Sequence, residues 1–316
     1  MVSISKNPDM NRYPLLSIII PYQDNLKEVI DMLQSLVKQS YPIDRLEILL
    51  IYNSSFESLK PEIISTFNDV RIELLEERNH LKSPYSARNR GLEKANGDVI
   101  VFIDANSTPD KHWLKNGVHC LLKNKYDLVA GRVDFEFGNR VTASKIVDSL
   151  TSIDMKKAVE ERGVAYTANL FAKKHVFKKA GFFEERTRSG GDVRLTQKAV
   201  NEGFKIGFCE EAVIWKKARD WGKLVQKKIR TGRGYFYTWN GDDGKKVWFY
   251  NFLRSLKPPP LIKYNSSHHH VSNVAIWLNL YTIRIIEQVA FMTEYFKYNL
   301  SDKRDSVRQK EKMGKS

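Results

Sequence analysis

Cysteine is scarce in this chain: two among 316 residues, Cys120 and Cys209, with no CxxC pair and no Cys/His spacing of a metal knuckle. That excludes a disulfide framework and a structural zinc site, and it suits two small buried hydrophobes in a reducing compartment. The opening stretch, Met1 to Pro14, is polar and lacks the apolar run of a secretory signal, so the expected location is cytoplasmic. Internal repeats and low-complexity tracts are missing too. Nor is there a long unbroken apolar run. Val271 to Phe296 has helical length, but Arg284, Glu287, Gln288 and Glu294 interrupt it. A charge at mid-bilayer costs about 2.5 to 3.5 kcal/mol, so the expectation is a helix that packs or lies on a surface.

What is present is a core and an excess of positive charge. With 42% hydrophobic residues the chain can bury one large or two smaller cores. Its net charge of +15 implies an anionic partner: nucleic acid, a membrane surface or a phosphorylated small molecule. The basic residues gather after Lys216 and in the tail Lys303 to Lys315, while the first hundred residues are nearly balanced. Nucleic acid is not expected, because the aromatic and basic interleaving of RNA modules is missing.

Along the chain, Leu15 to Ile20 reads as a strand closed by Pro21, and Leu26 to Gln39 as an amphipathic helix. Leu46 to Ile51 and Val70 to Leu75 are further strands, with a short helical pattern between them from Leu59 to Phe67. Pro84 to Ala95 and Lys111 to Leu122 are helices on either side of a central strand, Val99 to Ile103, and Asp127 to Phe135 is the next strand. This alternation predicts an α/β fold with a mostly parallel sheet covered on both faces. Further on, Val141 to Glu161 and Val193 to Glu202 read as helices, Ala165 to Ala172 as extended, and Lys205 to Cys209 and Ala212 to Trp215 as two short strands. A basic helix, Trp221 to Thr231, is expected to end at Gly232-Arg233-Gly234, and residues 257 to 270, with three prolines and three adjacent histidines, form a loop. The domains expected are a tail over 1–14, a catalytic domain over 15–235, a C-terminal helical extension over 236–300 and a basic tail over 301–316.

The central strand stops abruptly at Asp104-Ala105-Asn106. In open α/β sheets the carboxyl edge is where ligands bind, so these oxygen-bearing side chains mark a candidate site. Four stretches, Ile18 to Asp24, Glu47 to Ser55, Ala87-Arg88-Asn89-Arg90-Gly91 and Gly97 to Asn106, together with Ser189-Gly190-Gly191-Asp192, resemble in order and spacing the family 2 glycosyltransferases with the GT-A fold. The resemblance runs from about Leu15 to Gly234.

The resemblance implies that Pro21, Tyr22, Asp24 and Asn53 hold a nucleotide sugar, that Arg88 and Asn89 complete its pocket, and that Asp104 touches ribose or phosphate. It also implies Asp192 as the general base of an inverting transfer to a hydroxyl acceptor, a glycan or a lipid-linked one, in polysaccharide or cell-envelope glycan synthesis. Without it, Pro21 merely ends a strand, Arg88 is a solvated helix charge, and Asp104 or Asp192 a helix cap. Three departures stand out: Tyr52-Asn53 where paired aspartates are usual, Asn106 for a second metal-motif aspartate, and Lys216 where a histidine often follows the late strand. An amide accepts from a uracil N–H as a carboxylate does, which suits a UDP-linked donor. Asp104 and Asn106 are candidate ligands of Mg2+ or Mn2+, yet Lys216 would repel a dication and supply the charge itself, so metal-assisted and metal-independent chemistry both stay open. Arg219, Arg230 and Arg233 are candidate helpers. Lys223, Lys227, Lys228 and Arg230 would face anionic headgroups of a membrane, as a peripheral contact on its inner face, or the donor's phosphates. The rival readings are a nucleotide-sugar-binding subunit that has lost catalysis and a basic nucleic-acid-binding protein.

Overall fold

Apolar runs in this sequence become strands wherever both faces are covered. The computed structural model describes residues 13–23, 26–54, 67, 69–81, 83–185, 189–238, 253, 256–260 and 270–313. Packing divides the chain into two compact units, Met1–Glu136 with Thr151–Lys217, and Phe137–Leu150 with Ala218–Ser316.

In chain order the first unit contains β1 (Leu16–Tyr22), α1 (Leu26–Leu36), β2 (Leu46–Tyr52), β3 (Arg71–Glu76), α2 (Pro84–Lys94), β4 (Val99–Ile103), β5 (Ser107–Pro109), α3 (Trp113–Lys123) and β6 (Leu128–Glu136). Helix α4 (Ala143–Thr151) belongs to the second unit up to Leu150. The first then resumes with α5 (Met155–Arg162), β7 (Asn169–Lys173), α6 (Lys174–Ala180), α7 (Gly191–Asn201) and β8 (Ile206–Lys217). The strands form one sheet in the order β3-β2-β1-β4-β7-β6-β8-β5, and among the described residues four of its seven pairings are parallel. The parallel set β3-β2-β1-β4 brings the carboxyl ends of β1, β2 and β4 to one edge. Antiparallel β7 runs back from that edge beside β4, with Asn169 opposite Ile103.

Two expectations change in this unit. The single helix expected over Val141 to Glu161 is broken at Ser152-Ile153-Asp154, because the Asp154 side chain accepts a hydrogen bond from Lys157 N (2.9 Å) and starts α5 as its cap. The two short strands expected over 205–215 are one twelve-residue strand. Glu210 and Glu211, which read as an interruption, lie in an irregularity between the pairs Gly131–Cys209 and Val133–Ile214. Asn169, fully buried, donates to the carbonyls of Arg132 and Ala212 there (both 2.9 Å) and accepts from Trp113 Nε1. The structure also adds β5 and α6, too short to carry a periodicity. Asp24 and most of the Leu59 to Phe67 pattern lie outside the described residues.

A buried carboxylate ties β1, β2 and the approach to β4 together. Glu47 on β2 accepts from the Ser17 hydroxyl (2.5 Å), from Asn96 N (2.9 Å) and from Asn96 Nδ2 (2.7 Å), with Arg71 at 3.4 Å. Burial alone would raise its pKa. The hydrogen bonds from Asn96 and Ser17 and the Arg71 charge outweigh it and hold the carboxyl below the usual glutamate range.

The second unit packs α4 against α8 (Trp221–Thr238) and α9 (Asn273–Met313), with Ile146, Val147, Leu224, Ile276 and Ile283 as its core. Helix α8 does not end at Gly232-Arg233-Gly234. A β-carbon on Gly232 would come within 2.3 Å of the Glu287 carbonyl, so this glycine serves close approach of α8 and α9 rather than helix termination. Asp148, with no exposure, accepts from Arg219 N (2.9 Å) and pairs with the Arg219 guanidinium (3.2 Å) and Lys227 Nζ (3.3 Å). Burial and the neighbouring Arg219 push the Lys227 ammonium down to about 7. Lys228 lies 3.6 Å from Glu287, which also accepts from Thr231 (2.9 Å). Lys227 and Lys228 therefore do not face headgroups or donor phosphates as the sequence reading has it: desolvation keeps an amine on that helix face only where a carboxylate meets it. Lys223, Arg230 and Arg233 are exposed. In this unit Lys and Arg outnumber Asp and Glu by 21 to 9, so it carries +12 of the chain's +15. The stretch Asn273–Lys297 of α9 is, by length and composition, apolar enough to cross a membrane, and Val274, Leu278, Val289 and Phe296 are exposed along it.

Glu47→Ala leaves a buried hydroxyl and two Asn96 donors without their acceptor, and should lower stability by about 3 kcal/mol in urea unfolding. Because the folded carboxyl is held below its unfolded value, the wild-type contribution is present above the ordinary glutamate pKa and disappears as pH falls through the folded one. A variant with wild-type stability at neutral pH would rule out this role.

Candidate active site

The carboxyl edge of the parallel strands gathers most of the polar groups singled out in the sequence. Strand β1 ends in Pro21 and Tyr22 and β2 in Tyr52, with the two tyrosine rings 5.3 Å apart. Asn53, next along, donates N–H to the Tyr22 carbonyl (3.0 Å), and its amide nitrogen reaches the carbonyls of Ser83 (2.5 Å) and His80 (3.4 Å). It thus fixes the turn that leads into α2.

Helix α2 starts where it does because Ser83 caps it, accepting from Ser86 N, with Pro84 in the first turn. It is a polar helix that is nonetheless buried, the opposite of an ordinary surface helix. Arg88, 4% exposed, donates from Nη2 to Asp104 Oδ1 at 2.8 Å and from Nη1 to the Pro84 carbonyl. Lys216 of β8, also 4% exposed, donates to Asp104 Oδ2 at 2.9 Å and to Asn106 Oδ1 at 3.1 Å. One carboxylate is therefore bridged by two buried cations, and the group carries a net positive charge at a sheet edge. Arg88 Nε and the Ser107 hydroxyl are buried without a hydrogen-bond partner among the described residues. Unmet donors beside a surplus cation suit an anionic ligand such as a phosphate.

The same arrangement bears on metal binding. A Mg2+ or Mn2+ ion using both Asp104 and Asn106 needs the space the Lys216 ammonium fills, so these oxygens as arranged fit a lysine and not a dication. Among the described residues no group of three or more His, Cys, Asp or Glu side chains could hold a metal ion.

Asp192 enters from α7. The helix begins after Gly190, whose φ of +81° is a left-handed conformation natural to glycine, and no side chain caps it. The Asp192 carboxylate accepts from Val193 N (3.0 Å), from Thr167 N (3.3 Å) just before β7, and from the Tyr85 hydroxyl (3.1 Å) on α2. Its contacts thus reach beyond its own helix to two other segments. Burial raises its pKa above the usual aspartate range, against the pull of Arg88 and of these three hydrogen bonds. A buried carboxylate whose basicity is raised is suited to take a proton from a hydroxyl.

The structure thus joins Arg88, Asp104, Asn106 and Lys216 in one contact network, and Asp192 meets α2 one helical turn from Arg88. Asn89 is spent on the chain: its amide donates to the Phe183 carbonyl (2.8 Å) and accepts from Phe183 N (2.9 Å). Arg219 is committed to Asp148 in the second unit. The sequence reading missed Tyr85. Its position three residues before Arg88 puts both on one helix face, which was the available signal.

The family described as glycosyl transferase family 2 matches residues 17–180. Glycosyltransferase AglE of Haloferax volcanii is 33% identical over 228 residues, covering 72% of this chain and 74% of that protein. Among solved structures, the mannosyltransferase PcManGT from Pyrobaculum calidifontis in complex with GDP-Man and Mn2+ superimposes with a TM-score of 0.57 at 17% identity, over 90% of this chain and 73% of that one. TarS 1–349 of Staphylococcus aureus in complex with UDP gives 0.52 at 16% identity, over 90% and 91%. These two likenesses are of fold, and the fold is GT-A. By sequence and by architecture, this chain belongs to glycosyl transferase family 2.

Proposed function

We propose that this glycosyltransferase moves a sugar from a UDP-linked donor to a hydroxyl acceptor with inversion, in the building of a cell-envelope glycan or polysaccharide. The observation that carries the reading is the pairing of two chemistries at one sheet edge: a buried, basic carboxylate, Asp192, and a cationic group, Arg88 and Lys216 on Asp104. The diphosphate lies against the cations, Pro21, Tyr22, Asp24 and Asn53 hold the nucleoside, and Asp192 takes the acceptor proton as its oxygen attacks the anomeric carbon from the face opposite the leaving group. Uridine is supported by the Asn53 amide at the end of β2 and by the UDP complex of TarS. Lys216, fixed where charge develops on the leaving diphosphate, supplies positive charge there with no reorganisation. The catalytic domain of this reading spans 15–235, with a helical extension over 236–300 and a basic tail over 301–316. The acceptor is lipid-linked and met at a membrane surface, supported by the +12 charge of the second unit and the exposed apolar residues of α9. In this reading the protein is cytoplasmic and peripheral on the membrane's inner face.

Asp192→Asn should leave donor affinity within a few fold and lower turnover by about 10² or more. Near-normal turnover in this variant would sink the assignment.

Lys216→Ala should depress kcat more than donor affinity, and turnover of the wild type should survive excess EDTA. Activity abolished by the chelator and restored by Mn2+ would instead assign Asp104 and Asn106 to a metal.

In flotation assays the protein should rise with anionic vesicles at low salt and less at high salt, through Lys223, Arg230 and Arg233. Absence from both anionic and neutral vesicles rejects the membrane contact.

A further inference from the structure

Tyr85 is a core side chain at the site that the proposed chemistry does not yet use. It lies in the first turn of α2, 5% exposed, with its ring stacked on Phe183 (5.6 Å) and the Arg88 guanidinium 5.6 Å over its face. On a further side a β-carbon at Gly191 would lie 2.9 Å from the ring, so residue 191 is a glycine because the tyrosine fills the space a side chain would take. The ring is held on three sides, and its hydroxyl, buried with it, donates to Asp192 Oδ1 at 3.1 Å. Burial and the adjacent Asp192 charge push the phenol far above its ordinary range, so it stays a donor at every working pH.

We propose that Tyr85 is a positioning residue for Asp192: its locked ring aims one hydroxyl at Oδ1, fixing the carboxylate's rotamer and keeping it ionised for proton abstraction. The inference rests on the reading of Asp192 as the general base. A buried carboxylate left to desolvation would protonate and could take no proton from an acceptor. Three donors resist this, Val193 N, Thr167 N and Tyr85, and only the last is a side chain that a substitution removes. Arg88 acts in the same direction through its charge. Among the described residues nearby, Arg194 pairs with Glu184 (2.9 Å), and His80 Nε2 lies 3.1 Å from Glu185. Because Arg88 lies over the tyrosine ring and also meets Asp104, one face of α2 touches both Asp192 and Asp104.

Tyr85→Phe keeps the ring, the Phe183 stack and the fit against Gly191, and deletes the hydroxyl alone. In infrared titration of the apo protein, with Asp192→Asn identifying the carboxyl band, the midpoint for Asp192 should rise by about one pH unit in Tyr85→Phe. The acid limb of turnover, read as nucleotide released from a panel of UDP- and GDP-linked sugars, should move up with it, while donor affinity stays within a few fold. A band that titrates as in the wild type overturns the proposal, as does a band that moves without the acid limb. Retained turnover in Asp192→Asn would instead remove the base reading, and the infrared result would still report on the Tyr85 contact. Should Tyr85→Phe fail to fold, Tyr85→Met, which keeps apolar volume and likewise lacks the donor, is measured in the same way with the same two outcomes.

Discussion

The carboxylate of Asp104, bridged between Arg88 and Lys216, is the interaction on which the site depends. It stands at the end of the most deeply buried strand and joins two elements far apart in sequence, the helix α2 and the last strand β8. Either cation alone, at 4% exposure, would carry a desolvation cost of several kcal/mol, and a shared anion offsets much of it. The stoichiometry matters more than the pairing. Two cations share one anion, and Arg88 Nε is still without a hydrogen-bond partner among the described residues.

Charge in the second unit is treated differently. There Asp148 and Glu287 gather Arg219, Lys227 and Lys228 into internal pairs, while Lys223, Arg230 and Arg233 are exposed. The same composition therefore serves two purposes: buried, paired cations hold helices together, and exposed ones give the surface its field. Sequence position does not tell the two apart, since Lys227 and Lys228 adjoin each other and resemble Lys223 in every local respect.

Much of the first unit was legible because its strands announce themselves. Val99 to Ile103 is an unbroken apolar run ended by Asp104, and the structure buries all five residues. The motifs at strand ends carried the family, and hence the GT-A fold, since they recur at a topological edge rather than at an arbitrary place. What was not legible depended on contacts across sequence. Nothing in the sequence around Gly191 tells that the space beside it is filled by Tyr85, more than a hundred residues earlier. Gly232 and Gly234 read as a helix end, because local propensity says so, while tertiary packing against Glu287 carries α8 through them. The Glu210–Glu211 pair read as a gap between strands, because a bulge has no signature apart from the partner strand it mismatches.

That bulge sets the phase of everything after it. Between Gly131 and Val133 strand β6 advances two residues, while β8 advances five, from Cys209 to Ile214. The surplus is odd, so inside and outside exchange: Gly207 and Cys209 are the buried positions before it, Ile214 and Lys216 those after it, with Trp215 and Lys217 turned outward. An evenly paired β8 would present Trp215 to Asp104 and leave Lys216 in solvent. Insertions or deletions within 210–213 of this chain thus act as a parity operation on the site, exchanging the side chain that meets Asp104.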